Sequence, residues 1–363
     1  MAAAGIATAA DLVIAHIAPY SGQAAAIGKE YGDGARLYFD HVNSQGGIQG
    51  SRIVLVARDD AGNAERTRMA GFAAVNDKPI AFIGTVGAGS VNSLIPTLRS
   101  LQAPLLGPVV DAAGVGATRS SYVFHIGSAP AREVESLAGE LYALGLIKIA
   151  LCYTQDDTGW IGAQDAQTRL ARRNISVLVV ARCDGSSATV QAAAEAVVAA
   201  NSQAVIFAGQ TQSAAAFIQT LRAKGSFALV AASSSVDPRM LVSMLPPESA
   251  TWLAVAQSIP NPSSRATARV EAIVRELLKL RAETSSDMSL SRASLAGFLT
   301  AKIAVEAIRR AGMNPTGADV LNALAQLRDY DVGGLTVDFS GNEPGGIHYT
   351  RLGIIGRTGV VLN

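Results

Sequence analysis

Residues 79–94 read PIAFIGTVGAGSVNSL. An apolar β-type run ends in a loop holding Gly84, Gly87, Gly89 and Ser90, after which apolar residues recur at helical spacing. Strand, glycine loop, helix is the repeating unit of a parallel sheet, and ligands of such sheets bind beyond the carboxyl ends of the strands. Glycines let backbone N–H groups approach an anion closely, and a helix start adds the positive end of its dipole. The phosphate pattern G-x-x-x-x-G-K-[ST] is missing, since the loop has no lysine, and the spacing is not that of a dinucleotide fingerprint. A carboxylate fits better. Plain glycine turns with Ser90 as an ordinary helix cap are the alternative.

The same unit recurs on either side. DLVIAHIA (11–18) is a strand, PYSG (19–22) a turn, and a helix runs to about Val42 before Gly46 and Gly47. SRIVLVARDD (51–60) is a strand suited to burial on both faces, followed by a helix over about 63–76. APLLGP (103–108) follows the helix of the quoted stretch. The pattern then restarts with strands at 147–154, 175–183, 203–209 and 226–233, separated by helices over about 160–173, 187–200 and 211–224. This is an α/β chain with two doubly wound parallel sheets. TWLAVAQSIPNP (251–262) is a further strand, and two long helices follow, over about 263–281 and 292–311. They are too long to decorate the second sheet. A chain that crosses between two domains more than once returns them to the first.

Composition narrows the function. The chain has 363 residues, 49% of them hydrophobic, and a formal net charge of +1 with cations scattered, so neither nucleic acid nor an anionic membrane surface is an expected partner. No run approaches the ~18 apolar residues of a membrane span. The start, MAAAGIATAAD, reads either as the remnant of a removed signal peptide or as a frayed terminus. Cys152 and Cys183 are expected as two small buried hydrophobes, although a disulfide between them stays open. His16, His41, His125 and His348 lack zinc-type spacing, so neither a metal nor a cofactor is expected. No G-x-S-x-G elbow or triad spacing is present. The paired carboxylates Asp59–Asp60 and Asp156–Asp157 follow strands, where aspartate commonly caps the next helix. The chemistry points to binding rather than catalysis. Six loops qualify as ligand contacts: 19–22, 59–64, 84–90, 107–114, 155–160 and 209–213.

The chain resembles the periplasmic Leu/Ile/Val-binding protein family, the amino-acid receptors of ABC importers. The likeness is carried by YSGQAAAIGKEYGDGARLYFDHVNSQGGIQGSRIVLVARDD, by FIGTVGAGS, APLLGPVVDAA, IALCYTQDDTGWIG and AVAQSIPNP, and by the late helix SLAGFLTAKIAVEAIRRAG. The resemblance implies the type I periplasmic-binding fold: two doubly wound lobes joined by three hinge crossovers, residues 1–124 plus 259–333 forming lobe 1 and 125–258 plus 334–363 lobe 2. It implies a periplasmic receptor that closes on an amino acid or other small carboxylate and docks on a membrane permease. A sensor of an amide or organic acid, signalling to a protein partner, is the second reading. Carried over by position, the first lobe offers Ala88, Gly89 and Ser90, then Val109, Val110 and Asp111, with Tyr20 and Ser21 in the opening turn. The second offers Thr158, Trp160, Gln210, Thr211 and Ser234. Ala88 stands where a hydroxyl is usual and Asp111 where a threonine is. No aromatic stands at Thr158 or at Gln210–Thr211, and no acid at Ser234.

Overall fold

The computed structural model describes residues 10–110, 118, 120–154, 157–260, 262, 272–340, 345–347 and 349–362. They form two compact units. The first takes residues up to Val110, Thr118–Gly127 and Pro260–Ile347; the second takes Ser128–Ile259 and the stretch from Tyr349.

In the first unit a five-stranded sheet has the order β2-β1-β3-β4-β5, every pair parallel. Its strands are β1 (Leu12–Ala18), β2 (Ile53–Asp59), β3 (Ala81–Ile83), β4 (Leu105–Leu106) and β5 (Val123–Phe124). The helices α1 (Ala25–Ser44), α2 (Ala64–Ala74) and α3 (Ala88–Leu101) connect them. Asn63 caps α2, its side chain accepting the Glu65 and Arg66 N–H groups. Ala15, Ile17, Phe82, Leu94, Leu98 and Leu105 form the core under α2 and α3.

The second unit repeats that strand order. β6 (Ile149–Tyr153), β7 (Val177–Arg182), β8 (Ala204–Ala208), β9 (Leu229–Ala232) and β10 (Leu253–Gln257) run in parallel, with β7 outermost. The last strands, β13 (Arg351–Ile355) and β14 (Val361–Leu362), extend the other edge in antiparallel fashion. Period-two alternation builds two cores from one strand set. Ile149, Leu151 and Tyr153 face the helices α4 (Pro130–Ala143) and α5 (Asp157–Arg172). Ala150 and Cys152 face α6 (Ser187–Ala199), α7 (Thr211–Ala223) and α8 (Pro238–Met244). Cys152 and Cys183 both lie in this second core as free thiols, so the open disulfide is not formed.

The late helices return to the first unit, as their length required. α9 (Ala272–Glu283) and α10 (Arg292–Ala311) belong to it, and α10 lies directly against α1. Glycine permits this approach. A Cβ on Gly34 would stand 1.9 Å from the Ser294 carbonyl oxygen, and one on Gly297 1.9 Å from that of Tyr31. After α11 (Gly317–Ala325), the hairpin β11 (Tyr330–Asp331) and β12 (Thr336–Val337) stays with the first unit. So do the described residues that follow through Ile347, and the expected third crossing after residue 333 falls instead after Ile347. The reason is a run of backbone bonds: Phe339 N–H to Leu327 O (2.9 Å), Asp338 N–H to Gly346 O (2.8 Å) and Gly346 N–H to His125 O (2.8 Å).

Gly34→Ala is expected to destabilise the first unit by about 3 kcal/mol or more through overpacking of α1 against α10. Gly139→Ala, in α4, has room for its methyl group, and is expected to stabilise by about 0.5–1 kcal/mol. Urea denaturation of each variant measures both.

Candidate functional site

In an open parallel sheet the chain order reverses at one point, and the loops beside it are the natural ligand contacts. In the first unit this point lies between β1 and β3, beside the 19–22 turn and the quoted glycine loop. Gly84 (φ +68°) and Gly87 (φ +90°) turn the chain there, in a region that disfavours other residues. Part of the loop is closed by its own chain. Gly84 N–H donates to Leu106 O (3.1 Å), Gly87 N–H to Val109 O (2.9 Å), and Val109 N–H to Thr85 O (2.9 Å). Val109 is therefore a backbone partner of the glycine loop rather than a free donor, and the half-buried Val110 packs against the core.

The helix start beyond it is open. Val91 N–H makes the first helical bond, to Gly87 O (3.0 Å), and Gly87 has no side chain to cap the end. The N–H groups of Ala88, Gly89 and Ser90 meet no acceptor among the described residues, and Gly89 is exposed. Three parallel donors on a helix dipole make a site for one negative group.

Ser90 neither caps the helix nor faces solvent. It is 4% exposed, and its Oγ lies 2.9 Å from Thr67 Oγ1. Thr67 Oγ1 faces three acceptors, Asp60 Oδ2 (2.8 Å), Ser90 Oγ (2.9 Å) and Asn63 O (3.0 Å), and shares its single proton among them. Asp60 is fully buried and also accepts Gly62 N–H (2.8 Å). Burial raises its pKa, with those bonds opposing.

The opening turn is held by Asp59, at the end of β2. This carboxylate accepts Ser21 Oγ–H (2.6 Å) and the N–H groups of Tyr20 (2.8 Å), Ala61 (2.9 Å) and Ser21 (3.2 Å). The Ser21 hydroxyl bond, then the Ala61 and Tyr20 amides, bring its pKa down to about 2. Neither Asp59 nor Asp60 caps α2; Asn63 does. The Tyr20 hydroxyl is 2.7 Å from His16 Nδ1. His16 is fully buried, and burial pushes its pKa down to about 4, so the ring is neutral near pH 7. Tyr20 and Ser21 are thus positioned by their neighbours, Ser21 with its proton already bonded.

In the second unit the reversal lies between β6 and β8. Thr158 and Trp160 fall in the first turn of α5; their side chains lie outside the described residues, as does Asp111. Gln210 is the exposed residue preceding α7, with no capping bond from its side chain. Thr211 is buried and accepts Asp237 N–H (3.0 Å). Ser234, exposed after β9, binds an acid that its sequence neighbourhood lacks. Its N–H donates to Glu133 Oε1 and its hydroxyl to Glu133 Oε2 (2.8 Å). Glu133, in the first turn of α4, is 2% exposed. Nothing in the sequence flags it, because its partner is 101 positions away. Among the described residues no cluster of three or more His, Cys, Asp or Glu is arranged to hold a metal ion.

The periplasmic binding protein family matches residues 11–355. The chain belongs to that family. Its fold is the type I periplasmic-binding-protein fold, and its family and structural neighbours are solute-binding proteins, not enzymes. A substrate-binding periplasmic protein from Ralstonia solanacearum is 34% identical, the match covering 97% of this chain and 99% of that one, with a TM-score of 0.67. LivJ of Streptococcus pneumoniae, a branched-chain amino acid transporter substrate-binding protein in complex with isoleucine, is 17% identical. It covers 97% of both chains with a TM-score of 0.65, a likeness of fold. The Leu/Ile/Val-binding protein BraC3 of Rhizobium johnstonii is 38% identical over 80 residues, and the match spans 22% of that curated relative's length and 22% of this chain. Among the described residues no helix of this periplasmic binding protein is long and apolar enough to cross a membrane.

Ser21→Ala removes the first of the bonds that stabilise the Asp59 carboxylate. Its pKa is expected to rise from about 2 towards the ordinary range near 4, read by carboxyl ¹³C NMR titration. Because a depressed acid stabilises the fold only while ionised, the stability that variant loses is that present above about pH 4.

Proposed function

We propose that this protein is an extracytoplasmic solute receptor of an ABC importer, capturing an amino acid or another small carboxylate in the periplasm and presenting it to a membrane permease. The observation that carries this reading is the start of α3, where the N–H groups of Ala88, Gly89 and Ser90 have no acceptor among the described residues, at the first unit's strand-order reversal. Loop residues 84–90 contain no lysine or arginine, so the donors there are neutral amides, suited to a single carboxylate rather than to a polyphosphate. The Leu/Ile/Val-binding relative and the isoleucine complex of a fold neighbour support an amino acid as cargo.

Capture in this reading proceeds by domain closure, the hinge motion by which periplasmic binding proteins as a class enclose their ligands. In this reading the ligand carboxylate docks on the α3 amides of the first unit, and the candidate contacts of the second unit are the turns near Gln210, Thr211 and Ser234. Only contacts made in the closed state bias the equilibrium towards it. Driving it from mostly open to mostly closed takes about 5 kcal/mol of differential binding. Hydrogen bonds to charged groups contribute about 1.5–3 kcal/mol each, so two or three suffice.

Ala88→Pro tests the amides directly. Proline is tolerated at the first helical position and lacks the N–H. The variant is expected to keep its melting temperature and to bind carboxylate ligands roughly tenfold more weakly, about one charge-assisted hydrogen bond. A thermal-shift screen of amino acids, aromatic acids and amides identifies the ligand, and calorimetry compares the two proteins. No shift with any of these at millimolar concentration, or unchanged affinity in Ala88→Pro, overturns the reading.

A further inference from the structure

A serine hydroxyl has one proton and two lone pairs. Ser234 gives its proton to Glu133 Oε2 (2.8 Å), and its N–H donates to the other carboxylate oxygen. The exposed Ser234 Oγ therefore has only lone pairs left to offer solvent or a ligand. The turn around it is tied down. Ser233 Oγ and Ser235 Oγ are 2.6 Å apart, Ser235 Oγ donates to Gly209 O (2.8 Å), and Asp237 N–H donates to Thr211 Oγ1 (3.0 Å). Ser234 is thus held beside the β8 turn that carries Gln210 and Thr211. The carboxylate behind it is buried without a cation, since Ser234 supplies the polar contacts of the Glu133 side chain among the described residues.

We propose that Glu133 is a positioning residue that fixes the Ser234 hydroxyl as an acceptor for an N–H or ammonium group of the captured ligand, an inference that rests on the capture reading above. The uncompensated carboxylate polarises the hydroxyl oxygen, so a cationic donor gains more from Ser234 than a neutral amide does. Ser21 bonded to Asp59 is the same device in the first unit, with a solvent-exposed carboxylate.

The two devices differ in how they respond to pH. Burial pushes the Glu133 carboxyl up to about 7, with the Ser234 bonds pulling the other way. Once protonated, the acid donates to Ser234 Oγ, and Ser234 must turn its own proton outward. The acceptor becomes a donor, and the preference for an ammonium is lost as pH falls through neutrality. The other charged groups around α4 are engaged elsewhere. Glu135 pairs with Arg169 (3.6 Å) and Arg173 (2.7 Å) of α5, and Glu140 accepts the Leu352 N–H of β13 (3.0 Å). Asp237, beyond the β9 turn, caps α8 through Met240 N–H (2.7 Å). Arg132 on α4 and Arg351 on β13 also make contacts of their own. None of these groups contributes to the Glu133 shift, whose causes are burial and Ser234.

Matched ligand pairs decide the question: L-isoleucine with 3-methylpentanoate, L-phenylalanine with 3-phenylpropanoate, and L-glutamate with glutarate, titrated calorimetrically at pH 8 and pH 6. Wild type is expected to prefer the amino member of the pair it binds, more at pH 8 than at pH 6. In Glu133→Gln the side-chain amide donates to Ser234 Oγ, and the preference is expected to fall roughly tenfold or more. Ser234→Ala is expected to lose the preference and its pH dependence together, and the double variant to lose nothing further. Equal weakening of both members in either variant, or an unchanged preference in both, overturns the inference while leaving carboxylate capture standing. Binding of no pair member by wild type at millimolar concentration ends the capture reading and this inference with it.

Discussion

The phenol ring of Tyr31 lies where five segments of the first unit converge. It stacks on His16 of β1, with ring centroids 5.4 Å apart. Its hydroxyl reaches Gly107 O (2.9 Å) after β4 and Thr300 Oγ1 (2.6 Å) on α10. A Cβ on Gly84 would stand 2.2 Å from the ring, and one on Gly107 2.6 Å from its hydroxyl. Both glycines also have positive φ, so they answer to two demands at once: a left-handed turn and a close approach to one buried ring. The turns after β3 and β4 are consequently seated on α1 and α10 rather than on each other alone. That seating aims α3, and with it the open amides. The bond through Thr300, 269 positions from Tyr31, explains why the late helices belong to the first unit: the turns after β3 and β4 need α10 as their floor.

Above that floor, hydroxyls are assigned a direction by carboxylates. Asp59, Asp60 and Glu133 each receive a proton from a serine or threonine. The outcome depends on where the hydroxyl sits. Ser90 is buried, so its link to Asp60 through Thr67 stabilises the first turn of α3 and presents nothing. Ser21 and Ser234 are exposed, so the same bond leaves an acceptor on the surface. A hydroxyl free to rotate can serve any ligand polarity; one whose proton is spoken for discriminates. Within the first unit, the amide donors of α3 and the hydroxyl acceptor of Ser21 thus have opposite polarities, each held by its own neighbours.

This division explains what could be read from the amino-acid order. Continuous apolar runs such as IALCY and AVIFA announced buried parallel strands, and all their residues are buried. The glycine loop announced its turn and the helix start beyond it. The roles of individual hydroxyls were not legible, because each depends on a partner far along the chain. Ser90 read as a cap or ligand donor, and a threonine 23 positions away claims it. The missing acid at Ser234 read as a loss, yet Glu133 brings one from α4. Short strands were equally hidden: β5 is two residues long and pairs only where β4 lies beside it. The third crossing falls later than the sequence implies because the backbone bonds holding Asp338, Phe339, Gly346 and Ile347 to the first unit leave no mark on residue type.

Neutral amides at the helix start also bear on how an anion bound there, as proposed, would be released. A lysine or arginine in the 84–90 loop would hold a carboxylate equally in any conformation, as a point charge that follows its partner. Backbone donors cannot follow. Their direction is set by α3, whose seat is Tyr31, Gly84 and Gly107, and their strength falls steeply as water returns and the local dielectric rises. Affinity in such a site is a property of the desolvated arrangement rather than of any one residue. Under the proposed function, such a site would give up an anion as water returns to the amides, with no side-chain charge following it.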